Sequence, residues 1–312
     1  MKEENHINNI LRLGPECNEN CLFCNVTREN TKNFKKLSLS EAKRRIRNFA
    51  KEPERELSFS GGEPAVWGKD LLGLVSYAKE AGIKRVQIQT NATLIGADYA
   101  RRLKEAGLDN AFVAFHAPTK AIHEKLTRLP GSFELARAGV KHLLAAGIET
   151  TINIVINEWN YELFPRFVAF VKEEFPGVGL ISLAVVQPFG NAGKNIYLLP
   201  EYRQIHPFLK KGIRLANRSG LAIDNHYCSL PLCFLEKREI LEAIEFKENA
   251  YLRGSKGEPH PRVRMIQKEK AHTEACFNCY LKNFCNGVWK SYLEKFGEVG
   301  IAPAKETLKW WG

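Results

Sequence analysis

Short apolar runs rich in β-branched and aromatic residues alternate with helical patterns from residue 9 to residue 187, and that alternation limits the folds open to the chain. Strands are expected at residues 9–13, Glu56–Ser60, Arg85–Thr90, Ala111–His116, Thr150–Ile156 and Leu180–Gln187. Between them Ser40–Ala50, capped by Ser40, Asp70–Ala81, Asp98–Ala106, Ser132–Ala146 and Tyr161–Glu174 read as helices, with Gly107 and Gly147 closing the third and fourth. Strands that alternate strictly with helices pair in parallel through right-handed crossovers. Six such units make an open barrel or a doubly wound sheet, and periodicity does not distinguish the two.

In either architecture ligands gather at the C-terminal ends of the strands. The stretch Cys17–Cys24, Glu63, Asn91, His116, Asn157 and Gly190 all fall at or just beyond those ends. Gly61-Gly62 removes side chains that would hold a ligand off the backbone, and the following Glu63 offers a carboxylate to a cationic group. Thr90-Asn91 offers hydroxyl and amide hydrogen bonds, but suits an ordinary turn equally well. His116 fits an acid–base role or a structural hydrogen bond. Asn153 alternates with Ile152 and Ile154, so it faces away from them and can point into a barrel.

Cys17, Cys21 and Cys24 form a C-x3-C-x2-C run on the loop that follows the first strand. Three thiols this close can converge on one soft metal centre but cannot complete a four-thiolate shell, which leaves a coordination position open; an unliganded set of buried thiols is the plain alternative. A structural zinc ion would fill that position with Cys or His, and the nearest candidate upstream is His6.

The cysteine spacing, with Phe23 before the last thiol, resembles the cluster loop of the radical S-adenosylmethionine (SAM) enzymes, and Gly61-Gly62-Glu63-Pro64 resembles the segment that follows it in that family. The resemblance implies an open (βα)6 partial TIM barrel over residues 1–200. It also implies a [4Fe-4S] cluster on Cys17, Cys21 and Cys24, whose fourth iron chelates SAM. Gly61, Gly62 and Glu63 would then hold the methionine ammonium, and Phe23 would wall the adenine or simply pack the loop. Thr90, Asn91 and Asn153 are further implied SAM contacts, and Gly190, in Gln187-Pro188-Phe189-Gly190, would admit the nucleoside end. Family members often carry serine where Ala114 stands.

Beyond Gly193 the alternation is expected to stop, and residues 201–312 carry five cysteines: Cys228, Cys233, Cys276, Cys279 and Cys285. A short strand before Cys228, a helix over Leu235–Phe246 and a connection over Arg253–Arg264 suggest a smaller α+β unit. The C-x2-C-x5-C spacing of Cys276, Cys279 and Cys285 resembles the twitch and SPASM auxiliary-cluster domains, although Trp289 stands where SPASM would place another cysteine. Eight cysteines less the first three leave five, enough for one fully thiolate-ligated auxiliary [4Fe-4S] cluster and too few for two. Cys233 or Cys228 would supply the fourth ligand, and the remaining thiol would be a spare, a structural cysteine or a hydrogen donor facing substrate. A structural zinc site is the alternative. Trp310 and Trp311 are expected to pack against the open side of the barrel.

The termini and hydropathy add exclusions. The stretch Met1–His6 lacks an apolar signal core, and no apolar run reaches the roughly 18 residues of a membrane span, so a cytoplasmic protein without a membrane partner is expected. There, grouped cysteines point to metal ligation before disulfides. A formal charge of +11 would attract anionic partners, nucleic acid among them. The basic residues are interleaved with acidic ones, however, and no RNA-binding module is evident.

Radical SAM membership would make the chain an enzyme. Fed by a one-electron donor such as a ferredoxin or flavodoxin, it would cleave SAM reductively and abstract a hydrogen atom from substrate. Analogy with twitch and SPASM enzymes points to a peptide or protein side chain. Dehydrogenation or rearrangement of a small molecule is the enzymatic alternative, and a zinc-binding interaction protein the non-catalytic one.

Overall fold

The computed structural model describes residues 9–26, 35–53, 55–254 and 268–304. His6, Trp310, Trp311 and most of the expected Arg253–Arg264 connection lie outside the described residues.

Seven strands form one parallel sheet in sequential order: β1 (Ile10–Arg12), β2 (Glu56–Ser60), β3 (Arg85–Thr90), β4 (Asn110–Ala114), β5 (Glu149–Ile156), β6 (Leu180–Val185) and β7 (Ala222–Cys228). The intervening helices are α1 (Leu39–Phe49), α2 (Lys69–Glu80), α3 (Ala97–Glu105), α4 (Lys120–Thr127), α5 (Ser132–Ala145), α6 (Phe164–Glu174), α7 (Asn191–Lys194) and α8 (Tyr202–Arg218). A strand order without reversal has no switch point, so the sheet is that of an open barrel and not of a doubly wound fold.

The register shows how the sequence builds the two faces. Leu11, Phe59, Ile88, Ala111, Val113, Ile152, Ile154, Ile181 and Leu183 are buried in a continuous core with Ile46, Val75, Leu103 and Val140 of the helices. Alternate residues face the other way and are largely polar. Ser58, Gln87 and Asn110 share one register row, and Ala114, Asn153, Ser182 and Asp224 share another.

The alternation runs one unit further than expected, because α8 and β7 extend the sheet past residue 200. In α8 the buried face is Tyr202, Ile205, Leu209, Ile213 and Ala216, a helical spacing masked in the sequence by Pro207 and the Lys210-Lys211 pair. The α1 cap also differs: the Ser38 hydroxyl accepts the Glu41 N–H at 3.2 Å, and Ser40 lies inside the helix. Ser38 and Glu41 stand at the spacing that lets a cap oxygen reach the third helical N–H.

After β7 the chain forms α9 (Lys237–Glu242) and α10 (Ile244–Gly254), two helices parted at the buried, extended Ala243 where one over Leu235–Phe246 was expected. A two-stranded antiparallel sheet, β8 (Lys270–Ala271) with β9 (Val288–Trp289), follows.

Candidate active site

The cysteine loop leaves β1 and is held from three sides by backbone contacts. On the β2 side, Gly62 N–H donates to the Gly14 carbonyl and Glu63 N–H to the Glu16 carbonyl, both at 2.7 Å. Here the two glycines admit the loop itself: a Cβ on Gly62 would lie 2.0 Å from the Glu16 oxygen, and one on Gly61, whose φ is +129°, 2.5 Å from the Gly14 oxygen. On the α4 side, Asn20 and Leu22 donate to the Thr127 and Leu126 carbonyls. Beyond β6, the Asn191 N–H donates to the Cys24 carbonyl and its Nδ2 to the Cys21 carbonyl, each at 2.8 Å, while Asn195 Nδ2 reaches the Leu22 carbonyl. Gly190, with φ +56°, belongs to this contact, since a Cβ there would stand 2.5 Å from the Cys24 oxygen.

A side-chain chain completes the hold. Glu63 is buried, and its carboxylate accepts from Thr90 Oγ1 at 2.6 Å, from Asn91 N–H at 2.7 Å and from Ala65 N–H at 2.9 Å. Burial raises its pKa, and these three donors oppose the rise. Three of about four acceptor positions are therefore used within the protein. Asn91 Nδ2 donates to Asn18 Oδ1 at 3.0 Å, and Asn18 Nδ2 donates to Thr93 Oγ1 at 2.7 Å. Glu63, Thr90 and Asn91 thus tie the ends of β2 and β3 to the loop that carries Cys17.

Cys17, Cys21 and Cys24 are half-buried, and Cys24 lies close enough to raise the pKa of both others, with Cys17 adding to the rise at Cys21. Burial is the main cause at all three and pushes Cys17 up to about 12. The Arg12 guanidinium works in the opposite direction at Cys24. Glu19, unforeseen in the sequence, accepts from Cys21 Sγ at 3.2 Å, and burial pushes its carboxyl up to about 7. Three soft sulfur donors on one short loop match, in kind and number, a centre that keeps one position open. Among the described residues no group of three or more His, Cys, Asp or Glu is arranged to hold a single metal ion.

The remaining candidates divide. Asn153 is half-buried on the polar face between Ala114 and Ser182. Phe23 packs edge-on against His116, with ring centroids 4.6 Å apart. His116 is buried, its Nδ1 accepts from Val155 N–H at 3.4 Å, and burial holds its pKa well below the usual range, so the ring is neutral. Asn157 closes its own turn, accepting from Trp159 N–H and donating to the Val155 carbonyl.

A second sulfur-lined region lies beyond β7. Cys233, Cys276, Cys279 and Cys285 line one cavity together with His272 and Lys282. Burial raises the Cys233 thiol to about 12 and also raises that of Cys285. Four soft donors around one space suit a four-thiolate centre. Cys228 does not line this cavity. It ends β7 opposite Ala184, at a bulge where Asn225, Tyr227 and Ser229 hold φ of 54°, 55° and 76°. Sheet pairing keeps Cys228 in the barrel wall.

The holding residues Asn18, Glu19, Asn191 and Asn195 are those that sequence reasoning missed. Asn18, Asn191 and Asn195 bond to groups far along the chain, up to 173 positions for Asn195 and Leu22, and no local pattern marks them; Glu19 bonds to Cys21 only two positions on, inside the cysteine run itself.

A family model described as the Radical SAM superfamily matches residues 11–171. Fe-coproporphyrin III synthase of Methanosarcina barkeri is 29% identical over 233 residues, 73% of this chain and 57% of that protein. A probable GTP 3',8-cyclase of Methanococcus maripaludis is 30% identical over 57% of this chain and 59% of its own length. The chain spans about half the length of the curated relatives it matches. Among solved structures, Streptococcus suis SuiB bound to S-adenosylmethionine superposes with a TM-score of 0.63 at 16% identity, covering 95% of this chain and 75% of that one. Native anSMEcpe with bound AdoMet and Kp18Cys peptide gives 0.62 at 16% identity, covering 95% and 92%.

Proposed function

The chain belongs to the radical SAM superfamily, and from that premise we propose that Cys17, Cys21 and Cys24 hold its catalytic [4Fe-4S] cluster, and that the enzyme acts on a polar small molecule. The observation that carries this reading is the cysteine loop itself, which bears three half-buried thiols and is clamped to the C-terminal ends of β2, β3 and β6. When bound, the cluster and SAM supply a one-electron cleavage that yields methionine and a 5′-deoxyadenosyl radical able to remove a hydrogen atom from substrate.

The chain's own residues orient and shield. Gly61 and Gly62 bring the β2 turn against the cysteine loop, and Glu63 fixes that turn through Thr90 and Asn91. To these positions, with Gly190, Phe23 and Asn153, we assign the binding of SAM. The substrate assignment rests on two supports. The sequence relatives are named for tetrapyrrole and nucleotide chemistry. The inward face of the sheet, with Ser60, Gln89, Asn153 and Ser182, offers hydrogen bonds to a polar molecule. A peptide substrate draws support only from likeness of fold.

Cys233, Cys276, Cys279 and Cys285 are proposed to hold one auxiliary [4Fe-4S] cluster, and ligation by four thiolates suits electron transfer more than substrate binding. Radical SAM enzymes require an electron donor, and a ferredoxin or flavodoxin suits the basic surface of this one. Among the described residues, no helix is long and apolar enough to cross a membrane.

The test is anaerobic reconstitution with iron and sulfide, reduction with SAM, and assay for 5′-deoxyadenosine, comparing the intact protein with the Cys17→Ala, Cys21→Ala, Cys24→Ala variant. Product from the intact protein alone supports the reading, and product from neither, with zinc bound, rejects it. Stimulation of cleavage by a peptide fraction and not by a low-mass extract would reject the small-molecule assignment.

A further inference from the structure

Beside the second sulfur-lined cavity lies an ion pair that neither SAM cleavage nor cysteine ligation needs. Lys270 Nζ stands 2.5 Å from Glu245 Oε2, with side chains only 1% and 7% exposed. Lys270 begins β8, pairs across the small sheet with Trp289 and lies 5.1 Å from the centroid of that indole. Glu245 comes from α10, and its other oxygen accepts the N–H of Asn286, the residue after Cys285, at 2.8 Å. The next turn of α10 adds Asn249, whose Nδ2 donates to the Phe284 carbonyl at 2.9 Å. Both charges therefore flank the loop that carries Cys285, Glu245 through its bond to the Asn286 N–H and Lys270 through its contacts with Glu245 and Trp289.

Burying two charges costs desolvation, and well-packed apolar residues commonly match or exceed such a pair in stability. The pair does have one property that apolar residues lack: two fixed charges of opposite sign in a medium that screens them poorly. An iron–sulfur cluster gains negative charge when reduced, and its potential follows local charge, hydrogen bonding and solvent exposure. The other polar groups at the cavity, His272 and Lys282, are more accessible to solvent and salt.

We propose that Glu245 and Lys270 poise the reduction potential of the auxiliary cluster on Cys233, Cys276, Cys279 and Cys285, Glu245 holding it down and Lys270 holding it up. This rests on the assignment of that cluster made above. The two residues act through the ligand loop and are positioning residues, not ligands.

The experiment uses the full chain carrying Cys17→Ala, Cys21→Ala and Cys24→Ala, reconstituted anaerobically so that only the C-terminal cluster contributes to an EPR-monitored redox titration. In this background Glu245→Gln raises the potential by at least a tenfold change in the reduction equilibrium, which is about 59 mV for one electron. Lys270→Met lowers it by a similar amount, and the double variant returns near the parent value. Both splits persist in 1 M salt, where a surface charge such as Lys282 would be screened, 1 M corresponding to a screening length of about 3 Å. Single variants shifting together, or not at all, while iron is retained, overturn the proposal. So does loss of iron from both single variants with retention and a normal potential in the double, which would make the pair a folding element alone. If the background protein itself binds no iron, the cluster assignment has failed first, and the iron count reports this separately from any potential.

Discussion

Glu63 at the end of β2 accepts the backbone N–H of Asn91 at the end of β3 at 2.7 Å, across 28 positions of sequence. This one bond makes the turn after β2 and the turn after β3 a single unit, onto which Asn91 then fastens the cysteine loop through Asn18. Glu63→Ala would leave the buried Asn91 and Ala65 N–H groups without acceptors, at a cost of about 3 kcal/mol or more. Glu63→Gln keeps one acceptor oxygen and is expected to lose about half as much. Urea unfolding measures both, and a neutral result for Glu63→Ala would refute the clamp.

Gly62→Ala tests how closely the loop approaches. The new methyl group would meet the Glu16 carbonyl oxygen and carbon and the Pro15 carbonyl oxygen at 2.0, 2.5 and 2.7 Å, and all of these are backbone atoms with no rotamer to yield. The loop must shift, so the variant is expected to lose the iron bound at Cys17, Cys21 and Cys24 while keeping the C-terminal iron. Iron analysis with a 5′-deoxyadenosine assay checks this.

Asn191→Ala removes the donor to the Cys21 carbonyl but leaves the backbone bond to the Cys24 carbonyl. A loss of about 1 kcal/mol in stability is expected. Release of N-terminal iron to a chelator should be several-fold faster, because the loop is freed on one side only. Unchanged release kinetics would show that the backbone bond suffices.

Cys228→Ser is expected to leave C-terminal iron at the parent level, whereas Cys233→Ser, Cys276→Ser, Cys279→Ser and Cys285→Ser each lower it. The division follows from which four thiols line the cavity. Iron per chain, measured in the Cys17, Cys21, Cys24 triple-alanine background, decides it.

His123 supplies a pH dependence. It is buried against Phe115 and Phe133, its Nδ1 accepts from His116 N–H, and burial lowers its pKa from 6.5 to about 4. The unfolded chain binds the proton more readily, so this contribution is complete above pH 6.5 and is lost as pH falls toward 4. The depression corresponds to roughly 3 kcal/mol. His123→Leu should be less stable at neutral pH, since it leaves the His116 N–H unpaired, but flatter between pH 6.5 and 4. Denaturant melts across that range would show the two slopes.

Much of the barrel was legible because its signals are local. A strand of alternating or continuous apolar residues, a capped helix and a closing glycine each lie within one window of sequence, and β2 and β3 fall at the expected residues. Where a local signal was interrupted, the reading stopped early: Pro207 and the lysine pair hid α8, so the short strand expected before Cys228 was assigned to a separate unit and not to the barrel sheet it joins as β7. Gly61 and Gly62 were legible as places of close approach, but what approaches them in the structure is the Gly14–Glu16 backbone.

By itself the sequence determined the alternation of strand and helix, the spacing of Cys17, Cys21 and Cys24, and the number of thiols left over, because each is a property of neighbours along the chain or a count. Only the tertiary structure decided which four of the five later cysteines share a cavity. It alone joined Glu63 to Asn91 and brought Lys270 against Glu245 across 25 positions. These are contacts between elements, fixed by how the helices and strands pack, and packing of distant segments leaves no periodic trace in either of them.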